Sequence, residues 1–445
     1  MTTHILLLNL LITIIIILFL ILKFKQNPII GMFIGALYMG IFSNIGLTNT
    51  INAIVTGFGN TMTGIGISVG FGIILGQIVA DAGAVQSIAN YIIKLFGEKR
   101  SDIAMGTTGF IVSIPVFYDV GYVILLPIAK ILAKSTKNNI ALFIGSLVAG
   151  LGIAHTFIPP TPGPLTGAEL LSIDVGKVIL FGLIIGIPSF LITIFIYKNF
   201  FLSRKNFFDE KCFDMNELKK DEIEEKKIEK LPSFFKAIFP IFLPIFLIVI
   251  GTVSGVIFKE VPEWIVFISN KNIAMFIGVL AAFLLAKGIL TQEQLSKSVD
   301  DSLASAGIVL LITGMGGGLG NVLNLVGIGK VMLEVIQTLN IHPIIFIWLV
   351  SALLRMAQGS GTVAMITSIN LVVPMVNELN ISPVLLAMAS FSGSLLVGHV
   401  NDSGFWVTTK IAKLSTLGGL KTYTLVGFIE SIVSLIIILI LNIVL

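Results

Sequence analysis

His155-Thr156-Phe157-Ile158-Pro159-Pro160-Thr161-Pro162-Gly163-Pro164 interrupts an otherwise apolar run at 140–172, and this break decides the fold. Four prolines in six residues cannot continue a helix, because each ring removes a backbone donor and clashes with the preceding turn. Unwound backbone survives at membrane depth only where protein or water satisfies its polar groups. A half-helix beginning there presents unpaired N–H groups and a positive dipole end, which suits an anion.

The rest of the chain puts that break in a membrane. Of 445 residues, 56% are hydrophobic and 12% charged, and a soluble domain would show roughly twice that charge. Apolar runs long enough to span occur near 4–22, 28–46, 62–80, 140–172, 176–198, 236–258, 272–289, 303–320, 383–409 and 421–444. Two longer segments, 103–134 and 343–377, are interrupted at Pro115 to Gly121 and at Gln358 to Thr362. No Lys or Arg precedes the first run, so 4–22 is expected to be a retained span rather than a cleaved signal. The net charge of +4 needs no nucleic-acid partner, since the basic residues sit in short loops as topology signals do. Cys212 is the one cysteine, which excludes an intrachain disulfide and a cysteine-built metal site.

The second half repeats the first. Gly70, Gly72, Gly76, Gly83, His155 and Lys177 match Gly314, Gly316, Gly320, Gly327, His399 and Lys421, each 244 residues further on. With the N-terminus outside and 103–134 a hairpin entering and leaving on one face, 23 of the 28 Lys and Arg are cytoplasmic, four are outside and Arg355 is intramembrane. That asymmetry obeys the positive-inside rule. Each half then has five spans plus a re-entrant hairpin, and the odd number turns the second half over. The expected fold is an all-α polytopic membrane protein of two inverted-topology repeats with broken helices at the midplane. The repeats are 1–202 and 234–445, with scaffold spans at 1–100 and 234–341, hairpins and broken spans at 101–202 and 342–445, and a cytoplasmic linker at 203–233. Segments 84–97 and 325–340 are too short to cross and are expected along the interface.

Three intramembrane charges, Asp119, Arg355 and Asp402, each cost about 2.5–3.5 kcal/mol or more at the centre of a span. Arg355 either pairs with Asp402 as a structural unit or meets a substrate carboxylate as a bidentate donor. Asp119 and Asp402 would bind hydroxyls, a proton or a cation. His155 and His399 open breaks at equivalent repeat positions and change charge near neutral pH, so they are proton-coupling candidates beside the two aspartates. Thr156, Ser360, Thr362 and Asn401 suit substrate hydroxyls, or simply bond to the broken backbone. Gly314-Met315-Gly316-Gly317-Gly318 lacks the Gly-Lys-Ser/Thr of a phosphate loop and points to close packing of spans. No histidine pair has metal-ligand spacing, and no cofactor is expected.

At these breaks the chain resembles the gluconate permease family of bacterial secondary transporters. The matching strings are Gly70 to Gly76 with Asp81-Ala82-Gly83, Pro115 to Gly121, His155 to Pro164, Leu354 to Thr362, and His399-Val400-Asn401-Asp402-Ser403-Gly404-Phe405-Trp406. The resemblance implies uptake of gluconate or a related small hydroxy-acid by proton symport across the inner membrane. It also implies a homodimer moving a transport domain like an elevator. The chain has Asp119 where the family usually has Glu, Thr161 where a second His is frequent, and Ser403 where Pro is usual.

Sodium coupling, with Asp402, Asn401 and broken-helix carbonyls as an oxygen cage, is the nearest rival. An intramembrane enzyme would need a nucleophile–base signature that the sequence lacks, so no catalytic residue is expected. A passive channel would not concentrate its solute.

Overall fold

A computed structural model describes residues 3–24, 26–214, 231–258, 260–400 and 402–444. Each apolar run expected to span contains at least one helix. The first half contains α1 (Thr3–Leu22), α2 (Pro28–Phe42), α3 (Leu47–Asp81), α4 (Ala84–Phe96), α5 (Ser101–Val112), α6 (Tyr118–Thr136), α7 (Ile140–Phe157), α8 (Pro162–Leu170) and α9 (Val175–Leu202). The second contains α10 (Phe234–Ile257), α11 (Glu263–Ser269), α12 (Lys271–Ala286), α13 (Gln292–Leu325), α14 (Ile328–Leu339), α15 (Pro343–Gln358), α16 (Gly361–Val372), α17 (Pro383–Gly393), α18 (Ser403–Ile411) and α19 (Thr416–Val444).

Among the described residues, seven helices are long and apolar enough to cross a membrane, or up to nine if each of two bent pairs counts as one span. Ten were expected. α2 and α17 have 15 and 11 residues, a rise of only about 22 and 16 Å against a hydrocarbon core of about 30 Å. Their apolar runs continue, but the helices do not: α2 ends at Ser43, and α17 gives way to turns at 394–397.

Local chemistry sets the helix ends. Asn27 and Asn139 cap α2 and α7 by accepting from Ile29 and Ala141 N–H groups, and Thr291 with Gln294 forms a capping box at α13. α3 and α13 each end just before a glycine, Gly83 and Gly327, held at φ +73° and +75°. Only glycine enters that left-handed region without strain, so each long helix turns sharply there into α4 or α14. α4 is amphipathic, with Val85, Ile88, Ala89 and Ile92 on its buried face.

The core is built where α3 crosses α13, the most extensive helix contact in the molecule. A β-carbon at Gly317 would run into Thr61 Oγ1 and the Gly57 carbonyl, and one at Gly314 would lie 2.6 Å from the Phe58 ring. Small residues therefore let the two backbones approach, and Asn321 uses that closeness to donate to the Ala53 carbonyl at 2.8 Å. The glycines spaced 244 apart do a second job. Gly76 and Gly72 lie under the Pro115 and Pro160 carbonyls, while Gly320 and Gly316 lie under Asn370 and Ile366 of α16.

The chain leaving α9 is fastened to the far end of α18. Phe213 bridges Leu414, Ser415 N–H donates to the Cys212 carbonyl at 2.9 Å, and Lys421 Nζ donates to the Phe207 carbonyl at 2.6 Å. Cys212, expected in a solvated linker, is fully buried beneath this strap. The charge run Lys219 to Lys227 lies outside the described residues.

The α3–α13 crossing predicts that Gly317→Val destabilises the protein by about 1–3 kcal/mol through overpacking. Gly59→Ala on the partner helix α3, where a β-carbon meets nothing within 4 Å, is expected to be neutral or slightly stabilising. Thermal unfolding of the two purified variants checks the contrast.

Candidate functional site

Broken helices bring their ends to one place. α5 stops at Val112, Ser113 Oγ donates to the Val116 carbonyl at 3.2 Å, and α6 restarts at Tyr118 with Asp119 in its first turn. α15 stops at Gly359, whose carbonyl accepts from Arg355 Nη1 at 2.9 Å, and α16 restarts after the cap residue Ser360. α17 stops at Gly393, and α18 restarts with Asp402 as its cap, Oδ1 accepting from Gly404 N–H at 2.9 Å. The N-termini of α6, α16 and α18 thus face one cavity of about 210 Å³.

Seven of the nine site residues expected from sequence line that cavity: Asp119, His155 and Thr156 from the first half, Arg355, Ser360, Thr362 and Asp402 from the second. Asn401 lies outside the described residues. His399 is not in the lining, because its Nε2 faces the Met356 carbonyl at 3.0 Å across the second hairpin. His155, which lies 244 residues before it, packs on the Phe117 ring at 5.8 Å, and its buried Nδ1 has no partner among the described residues.

The proline break does not present its helix end to the cavity. The first turn of α8 packs instead against α16, with Gly163 on the Met365 sulfur, and Thr161 Oγ1 bonds back to the Ile158 carbonyl at 2.8 Å. Its partner helices fill the space an anion would need. The anion-suited ends are those of α6, α16 and α18.

Arg355 and Asp402 are an ion pair. One Asp402 oxygen takes both Arg355 Nη2 and the Tyr423 hydroxyl, the latter at 2.6 Å, and Tyr423 also accepts from Arg355 Nη2 at 3.1 Å. Asp402 is 4% exposed and Arg355 7%. Gly398 makes room for this cluster, since a β-carbon there would lie 2.6 Å from both Arg355 Nη2 and Asp402 Oδ2. Of the guanidinium nitrogens, Nε is buried without a partner among the described residues. Arg355 is therefore held in place by Asp402 and the Gly359 carbonyl, with one donor left unused among the described residues.

Three lining residues escaped the sequence reading. Tyr423 completes the Arg355–Asp402 cluster. Tyr118 meets Thr408 of α18 through hydroxyls 2.7 Å apart and so joins the two halves. Glu430 is a carboxyl in the middle of α19. Its signal was present as a lone acid in a long apolar run, the pattern that singled out Asp119.

Helices of this length and apolarity around a polar, two-halved cavity define a multi-pass membrane transporter. Over residues 5–444 the chain matches the GntP family permeases and belongs to that family. It is 33% identical to the gluconate permease of Pseudomonas aeruginosa over 447 residues, covering 99% of this chain and 98% of that one. To the Gnt-II system L-idonate transporter of Escherichia coli it is 31% identical, covering 96% and 97%. In fold it is similar to Neisseria gonorrhoeae MtrF, an antimetabolite efflux pump, with a TM-score of 0.65 at 14% identity over 89% of this chain and 85% of that one.

Removing one partner of a buried ion pair strands the other charge. Arg355→Ala is expected to lower stability by about 3–5 kcal/mol, and Asp402→Asn added to it should restore most of that loss. Thermal unfolding of the single and double variants measures the difference. It also separates folding from any loss of transport.

Proposed function

We propose that this permease takes up gluconate, or a closely related polyhydroxylated carboxylate, together with protons. The charge inventory of the cavity carries this reading. Among its described lining residues, one guanidinium stands against three carboxyls, those of Asp119, Asp402 and Glu430. With all four ionised the site is net negative, and a carboxylate cannot bind there unless positive charge enters with it. A proton supplies that charge and leaves with the solute on the other side. The names of the relatives favour a six-carbon sugar acid, since gluconate and L-idonate are both monocarboxylates carrying a row of hydroxyls.

In this reading the substrate carboxylate meets Arg355 Nε and the N-termini of α16 and α18, where backbone dipoles favour an anion. Ser360, Thr362, Thr156 and Asn401 hold hydroxyls. Asp119, at the first turn of α6, contacts the solute or the coupled ion. The matching helix order in the two halves, with the left-handed glycines at equivalent bends, supports an inverted repeat in which 1–100 and 234–341 form a scaffold. The hairpins and broken helices would move against it as an elevator within a homodimer of the inner membrane.

Purified protein in liposomes should concentrate labelled gluconate under an inward pH gradient without sodium. Uptake that needs sodium and ignores the pH gradient would replace the proton with a cation. His155→Gln is expected to alter the pH profile of uptake and His399→Gln to leave it unchanged, because only His155 faces the cavity. Identical profiles for both variants and the parent would remove His155 from proton movement.

A further inference from the structure

Glu430 sits 1% exposed halfway along α19, and its Oε1 has no hydrogen-bond partner among the described residues. It nevertheless lines the cavity. Gly152 of α7 leaves the room for it, since a β-carbon there would lie 3.1 Å from Glu430 Oε2. The position 244 residues earlier is Gly186, so the first half has no matching acid. An unpaired carboxylate held away from water costs several kcal/mol, and a bound proton removes that cost.

The charged groups around it are engaged or distant. α19 packs against α18, whose Asp402 pairs with Arg355 and whose Lys410 is exposed, and against α7, α9, α15 and α17. These bring His155 from α7, Arg355 from α15, and Lys177 and Lys198 from α9, while α17 has no charged residue. Arg355 is taken by Asp402, Lys198 pairs with Asp102 at 2.7 Å, and Lys177 is exposed at the first turn of α9. On α19 itself, Lys421 donates to the Phe207 carbonyl and Tyr423 to Asp402. Among the described residues none forms an ion pair with Glu430. Of the other two carboxyls of the cavity, Asp402 has Arg355, Tyr423 and the α18 N-terminus to support its charge, and Asp119 is exposed in the first turn of α6.

We propose that Glu430 is the group that carries the coupled proton. Its carboxylate takes a proton from water while the cavity faces outside, crosses as the neutral acid beside the bound solute, and returns the proton to cytoplasmic water. This assignment rests on the proton-symport reading above and names the residue that performs it.

The test uses the full-length protein in liposomes with labelled gluconate, without sodium. Glu430→Gln keeps the shape of the neutral acid. The variant is expected to lose pH-gradient-driven accumulation and substrate-linked proton entry, while exchange of external for internal gluconate continues. Glu430→Asp, which can still bind a proton, should regain accumulation. A Glu430→Gln variant that accumulates gluconate like the parent overturns the assignment. So does one that loses exchange as well, because Glu430 then serves binding or folding. If the parent itself shows no response to the pH gradient, the symport reading fails and the assignment with it, an outcome visible before any variant is made.

Discussion

A broken helix in a bilayer must find partners for its freed carbonyls and N–H groups inside the protein, and this requirement shapes the molecule. The breaks are met by nearby side chains: Ser113 on Val116, Thr161 on Ile158, Arg355 on Gly359, Ser360 on Val363 and Asp402 on Gly404. Two of these are charged, and their charges satisfy each other as well as the backbone. Arg355 and Asp402 thus close the break between α15 and α16 and the break between α17 and α18 in one cluster, and what remains open between them is the cavity.

That cluster also explains how a site can be both rigid and receptive. Arg355 comes from α15, Asp402 from the start of α18 and the half-buried Tyr423 from α19, so three elements are fixed to one another by one side-chain cluster. Tyr118 and Thr408 extend the connection to the first half. In the proposed binding mode the donors left over, Arg355 Nε and the helix N-termini, are in place before any solute arrives. Preorganisation of this kind reduces the ordering cost of binding.

Much of this was legible in the sequence, and the limits have physical causes. Proline and glycine clusters located the breaks because those residues have few conformational options. Intramembrane charge located Arg355, Asp119 and Asp402 because such charge is costly anywhere else. The direction of the α8 N-terminus was not legible, since it depends on which helix fills the space before it, here α16 through Met365. The two histidines were equivalent by spacing and inequivalent by environment, with one facing the cavity and the other the Met356 carbonyl. Helix lengths also departed from apolar run lengths. Hydropathy records where lipid is tolerated, whereas α17 ends where a neighbour's backbone and a cavity begin. Tyr423 is invisible to any search for charge, because its hydroxyl matters only beside Arg355 and Asp402.

The strap over the end of α18 has a practical corollary. It seals the single thiol of the chain, Cys212, whose carbonyl sits on Gly418 and whose sulfur lies 3.7 Å from Asp209 Oδ1. A thiol reagent reaches that sulfur only when the strap lifts, since reaction needs an accessible thiolate. The native protein therefore carries its own clock for local opening: the alkylation rate of one cysteine, with no engineered label, counts how frequently the join between linker and second half comes undone.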